Sequence, residues 1–82
     1  MKLEDIERIH EVALQELYRR IPKRDLEDVD VTVTVDGKSV EVDVKVEVHP
    51  LSELPDEEIK EAVERAAEAA IKEADRIMLR EP

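Results

Sequence analysis

Residues 29–48 read VDVTVTVDGKSVEVDVKVEV, two runs with valine at every second position on either side of a short polar segment. Successive side chains of a β-strand point to opposite faces, so the alternation predicts strands at 29–35 and 40–48. Each strand then has one face of valines and one of charged residues or threonines. The single glycine of the chain, Gly37, lies between the runs and predicts a tight turn. We therefore expect an antiparallel hairpin with one apolar face.

Two registers of this hairpin keep all the valines on one face. A two-residue turn at 36–37 sets Asp30 opposite Asp43. A turn at 37–38 instead sets Asp30 opposite Lys45. Like charges directly opposite one another destabilise a strand pair, which favours the second register. The Asp-Gly pair at 36–37 is the better local turn signal and favours the first, so both registers stay open and the second is preferred.

Apolar residues on both sides of the hairpin recur at three- and four-residue steps, which is typical of amphipathic helices. The first helix is expected at about 4–20, because Pro22 disfavours helical geometry in the residue before it. The second is expected at about 55–79, beginning at Pro55 with three acidic residues after it. The first apolar stripe consists of Leu3, Ile6, Ile9, Ala13, Leu14, Leu17 and Ile21. The second consists of Ile59, Val63, Ala66, Ala67, Ala70, Ala74, Ile77 and Met78.

The predicted fold is a single α+β domain over residues 1–82, in the order α-β-β-α, with both helices packed on the valine face. A lone two-stranded hairpin is marginal, and both of its edges are open to another chain. We therefore expect a homodimer that completes a larger sheet or a helix bundle. One candidate interface is the second strand, through Val40, Val42, Asp43, Val44 and Lys45. The other is the alanine-rich face of the second helix, through Ala66, Ala70 and Ala74.

An antiparallel two-fold axis at Val44 sets Asp43 opposite Lys45 twice, which is favourable. The same axis sets Glu41 opposite Glu47, which is not. The alternative is that Lys45 guards the strand edge and keeps the chain monomeric.

Composition and charge restrict the function of the chain. With 23 acidic and 13 basic residues the net charge is −10, which disfavours binding to nucleic acid or to an anionic membrane. Cysteine is absent, which excludes disulfides, thiolate metal sites and a cysteine nucleophile. The amino terminus has no apolar run, so we expect no signal peptide, no membrane span and a cytoplasmic location. Charged residues make up 44% of the chain, a fraction that is typical of a hyperthermophile protein or of an idealised design.

No residue pattern indicates catalysis. His10 lies near the apolar stripe of the first helix and is expected to pack there, while His49 is expected in a solvated loop. No paired spacing joins the two histidines, so a transition-metal site is not predicted. The acidic residues of the hairpin lie on an open face without a cleft, whereas acid–base catalysis needs a cleft. We expect neither an enzyme nor a cofactor.

One basic cluster departs from the acidic background and consists of Arg19, Arg20, Lys23 and Arg24. Such a cluster can contact an RNA phosphate or an acidic partner segment. The ordinary explanation is that arginines at a helix carboxyl end offset the helix dipole and donate to its last carbonyls. The cluster has no aromatic stacking platform beside it, which weakens the RNA hypothesis.

The segments DVDVTV at 28–33 and VEVDV at 40–44, separated by the Asp-Gly pair at 36–37, resemble a small archaeal protein family of unknown function. The alanine-rich second helix is similar as well, so the resemblance spans nearly the whole chain. The family has no assigned activity and no catalytic residues to carry over. Its genes often lie near that of the prefoldin beta subunit, which implies a housekeeping role in archaeal protein or RNA handling.

Three hypotheses follow from the sequence. The first is a non-enzymatic, self-associating interaction or assembly protein. The second is a nucleic-acid accessory binder that acts through the basic cluster. The third is a de novo designed scaffold without a biological function, which the regular patterning of the hairpin also fits.

Overall fold

The computed structural model describes residues 1–80. Helix α1 comprises Leu3–Arg20, strand β1 Leu26–Asp36, strand β2 Ser39–Val48 and helix α2 Asp56–Arg80, with a single 3-10 turn at Lys23–Asp25. The strands form a two-stranded antiparallel sheet. Residues of both helices pack with the valines in one apolar core. The predicted α-β-β-α order and α+β class are therefore confirmed.

The hairpin adopts the register that pairs opposite charges. Asp30 lies opposite Lys45, and Asp36 lies opposite Ser39, so the connecting loop is Gly37-Lys38. Gly37 has a φ of 60°, a left-handed conformation that a residue without a β-carbon adopts at little cost. The register that was preferred because it avoids opposing like charges is therefore confirmed.

Strand β1 begins at Leu26, three residues earlier than the valine pattern predicts. A register shift between Leu26 and Asp28 inserts Glu27 as an extra residue in β1. The bulge turns Leu26 onto the valine face, where it packs against the core. The alternation at 29–35 cannot reveal this extension because Leu26 is out of phase with it.

The two helices pack against each other through residues spaced four apart. The fully buried stripe of α1 consists of Ile9, Ala13 and Leu17, and Ile21, the residue that follows the helix, continues it. The facing stripe of α2 consists of Ala62, Ala66, Ala70 and Ala74, none more than 1% exposed. Large side chains of α1 thus lie against small ones of α2, which lets the two helix axes approach closely.

This packing corrects one sequence-based expectation. Ala66, Ala70 and Ala74 belong to the predicted inner stripe but were also one of the two candidate dimer interfaces; they are buried within the chain and cannot form that interface. Ala62, absent from the predicted stripe, is buried with them. Helix α2 also begins one residue later than expected: the Pro55 carbonyl accepts hydrogen bonds from Glu58 and Ile59, so Asp56 is the first helical residue.

Ala70→Leu tests the close approach of the helices. Ala70 is 0% exposed, so a leucine there has no space unless α1 moves away. Overpacking of this kind costs about 1–3 kcal/mol of unfolding free energy, measured by urea denaturation. The control is Ala69→Leu, the same change at a partly exposed position of α2. Equal stability of the two variants would show that the alanine stripe does not set the helix separation.

Candidate protein-interaction surfaces

Both edges of the two-stranded sheet carry backbone groups that the hairpin itself leaves unpaired. In an antiparallel pair, residues opposite each other alternate between hydrogen-bonded and non-hydrogen-bonded positions. The pair Asp36–Ser39 closes the two-residue turn and is hydrogen-bonded, so the paired valines that follow, from Val35–Val40 onward, are not. The N–H and C=O groups of those valines therefore point outward from each strand.

The edge of β1 is partly occupied by α1. His10 Nε2 lies 2.9 Å from the carbonyl oxygen of Val31. Since a carbonyl only accepts, His10 Nε2 carries the hydrogen and donates it. His10 was expected to pack near the apolar stripe of α1, and its ring in fact has a specific acceptor on a strand edge.

The edge of β2 has no such side chain. Within residues 1–80, no side-chain hydrogen bond reaches the outward groups of Val40, Val42 or Val44. An open groove of about 620 Å³ includes Val40 and Val42 of this strand and Ile71 of α2. It continues to Thr32 and Thr34 of β1. Ile71 is 40% exposed, so an exposed apolar side chain lies next to the unpaired edge of β2.

Lys45 lies on the outer face of β2, as the alternation predicts. Its Nζ is 3.8 Å from Asp43 Oδ2, and both side chains are largely exposed. A pair this exposed contributes little to the stability of one chain. Both groups therefore remain available to a strand that pairs with β2.

The structure gives most of the basic cluster at 19–24 partners within the chain. Arg19 and Arg20 each form an ion pair of 3.3 Å with Glu16. Lys23 Nζ lies 4.9 Å from the centre of the Tyr18 ring, a cation–π contact. Arg24 is exposed and makes no ion pair with any described residue. The cluster is therefore closer to the local helix-end role than to a free cationic patch.

A second cationic surface lies where α1 begins beside the end of α2. It is an open groove of about 640 Å³, and its lining includes Lys2, Arg8, Arg76 and Arg80. Glu73 lies at its base and is 8% exposed. Sequence reasoning missed this groove because its residues are about seventy positions apart and meet only through the antiparallel packing of the helices.

Within residues 1–80, no three His, Cys, Asp or Glu side chains come together as possible ligands of one metal ion. His49 Nδ1 accepts a hydrogen bond of 3.0 Å from the Leu51 amide, which stabilises the bend after β2.

Neither described helix combines the length and the apolar character needed to cross a membrane.

Replacement of His10 tests its hydrogen bond to the strand edge. His10→Leu leaves the Val31 carbonyl without its donor in a partly buried position, so we expect a loss of about 1 kcal/mol in unfolding free energy. His10→Gln keeps an N–H donor and should retain most of the stability. Thermal and urea denaturation of the two variants measure the difference. A His10→Leu variant as stable as His10→Gln would contradict the proposed role.

Comparison with known proteins gives a family and a similar fold. The model of the family described as "Protein of unknown function (DUF3194)" matches residues 2–74. The solution structure of a hypothetical protein from the archaeon Methanothermobacter thermautotrophicus is similar, with a TM-score of 0.59 and 23% identity. That likeness covers 99% of this chain and 94% of the other. No curated protein matches the chain. The resemblance to a family of unknown function is confirmed.

Proposed function

Since the chain belongs to the DUF3194 family of proteins of unknown function, we propose its role from its surfaces: a non-enzymatic interaction protein that self-associates through the edge of β2. Membership of the family weighs against the alternative of a designed scaffold. The archaeal source of the similar structure supports an archaeal origin.

The observation that carries this proposal is the difference between the two sheet edges. On β1, His10 donates to the outward carbonyl of Val31 and α1 lies alongside. On β2, the outward groups of Val42 and Val44 have no side-chain partner among the described residues. An unpaired strand edge readily pairs with another strand. Of the two edges, β2 is therefore the better site for a second copy.

An antiparallel pairing of two β2 strands about a two-fold axis at Val44 uses these groups well. The outward N–H and C=O of Val44 meet those of Val44 in the second copy, and Val42 meets Val46 in the same way. Asp43 then faces Lys45 of the second copy, twice by symmetry. The opposition of Glu41 and Glu47 subtracts from this gain but lies further from the axis.

Helix α2 supplies apolar surface beside the same edge. Val63 and Ala67 are half-buried, and Ile71 is exposed, at four-residue steps along one flank of α2. Strand pairing alone buries little side-chain area, and a stable interface needs about 1,200–2,000 Å² in total. Contact between the two α2 flanks adds to the area buried by the strands.

Other functions have less support. The acidic side chains of the outer sheet face, including Asp30 and Glu41, are exposed to solvent, where carboxylates seldom act as catalysts. Nucleic-acid binding through Arg19, Arg20 and Lys23 is weakened by their partners within the chain. The net charge of −10 opposes it further.

Proline substitutions on the two strands test which edge of the sheet forms the dimer. Val42 and Val33 lie opposite each other, are both half-buried, and both direct their N–H outward. Proline at either position removes one outward donor without removing a bond inside the hairpin. Sedimentation equilibrium should give a dimer for the parent chain and for Val33→Pro, and a monomer for Val42→Pro. A monomeric parent chain, or dissociation of both variants alike, would contradict pairing through β2.

A charge swap tests the register of the proposed dimer. Lys45→Glu replaces two attractive contacts by two repulsive ones, so the dissociation constant should rise about tenfold. The double variant Asp43→Lys with Lys45→Glu restores opposite charges across the axis and should recover the parent affinity. Analytical ultracentrifugation at low ionic strength measures both. Because Lys45 also lies opposite Asp30 within the hairpin, circular dichroism checks that both variants remain folded. Failure of the folded double variant to recover would exclude a two-fold axis at Val44.

A further inference from the structure

We propose that the groove between the start of α1 and the end of α2 binds an acidic peptide segment of another protein. This surface is distinct from the edge of β2 and from the basic cluster at 19–24. Its cations come from both helices: Lys2 and Arg8 from the start of α1, Arg76 and Arg80 from the end of α2.

The carboxylates of the groove are mostly engaged within the chain. Asp5 accepts a hydrogen bond of 3.1 Å from the backbone N–H of Lys2. Glu73 is held by two arginines, with Oε1 3.8 Å from Arg8 Nε and Oε2 3.3 Å from Arg76 Nη1. Glu4 makes no ion pair with the described residues. The lining as a whole thus carries four cations and three carboxylates, a net charge of +1 on a chain whose net charge is −10.

Glu73 fixes the two arginines in place. Its side chain is 9% exposed, whereas the side chains of Arg8 and Arg76 are 53% and 70% exposed. Each guanidinium has five N–H donors and uses few of them on Glu73, although Arg8 also lies 4.0 Å from Glu11. The buried carboxylate thus draws one arginine from each helix to the groove and leaves most of their donors directed to solvent.

Charge and shape both indicate the class of ligand. The surface as a whole carries a net charge of −10, so an acidic partner is repelled everywhere except at a local excess of cations. The groove is open, whereas small-molecule sites bury most of their ligand. The exposed side chains of Leu3 and Leu79 lie at the same end of the helix pair and suit apolar residues of a peptide. RNA is less favoured because the groove has no aromatic side chain to stack on a base.

The test uses the full chain and a fluorescent peptide of alternating Glu and Leu, measured by fluorescence anisotropy at low ionic strength. Lys2→Glu with Arg80→Glu reverses two groove cations that do not hold Glu73, so the fold should be retained. The matched control is Arg24→Glu with Lys60→Glu, which changes the net charge equally at the opposite end of the molecule. Circular dichroism checks that both variants remain folded.

We expect the groove variant to bind the peptide at least about tenfold more weakly than the parent and the control variant. Binding should also weaken as salt is added. The proposal is overturned if the parent chain does not bind the peptide, or if the groove and control variants lose affinity equally. Equal or tighter binding of inorganic phosphate, or of polyuridylic acid, to the same groove would also overturn it, because the ligand would then be a phosphate rather than an acidic peptide.

Discussion

The contact between α1 and α2 is the constraint on which the rest of the structure depends. Two strands of a sheet span only about 10 Å, and two packed helices are normally 8–10 Å apart between their axes. Both helices can cover so narrow a sheet only if they approach closely. The alanines at 62, 66, 70 and 74 permit that approach because large side chains of α1, such as Ile9 and Leu17, fit against them.

The position of α1 makes the two edges of the sheet unequal. Helix α1 packs on β1, and its His10 reaches the outward carbonyl of Val31. Helix α2 packs on β2, and among the described residues no side chain of α2 forms a hydrogen bond with the outward backbone groups of that strand. A sheet that looks symmetric in the sequence therefore has, within residues 1–80, one edge on which a side chain binds a backbone carbonyl, at Val31, and one edge without a side-chain hydrogen bond.

The same helix pair concentrates charge at its end. Arg8 and Arg76 lie on different helices, and the buried Glu73 between them links the helices electrostatically. A buried carboxylate without such partners would be strongly destabilising. The linkage leaves a local excess of cations on a chain of net charge −10, which gives an acidic protein a place where another acidic chain can approach.

Local patterns predicted both helices and most of each strand, and they favoured the observed hairpin register without deciding it. The alternation of valines predicts the strands because side chains of a strand alternate between faces. The pairing of Asp30 with Lys45 follows from repulsion in the alternative register. The helix boundaries follow from Pro22 and Pro55 to within one or two residues.

Local patterns could not decide what covers each apolar face. They also could not decide which residues of different elements come into contact. The alanines of α2 are equally suited to a neighbouring helix of the same chain or of another chain, and only the packing shows that α1 covers them. Leu26 joins the core through a bulge that breaks the alternation. His10 and Val31, like Arg8 and Glu73, meet through contacts between elements, which periodicity along one element does not contain. The amino-acid pattern therefore determined the elements and their apolar faces, and the tertiary structure decided which edge and which charged groove remain open to a partner.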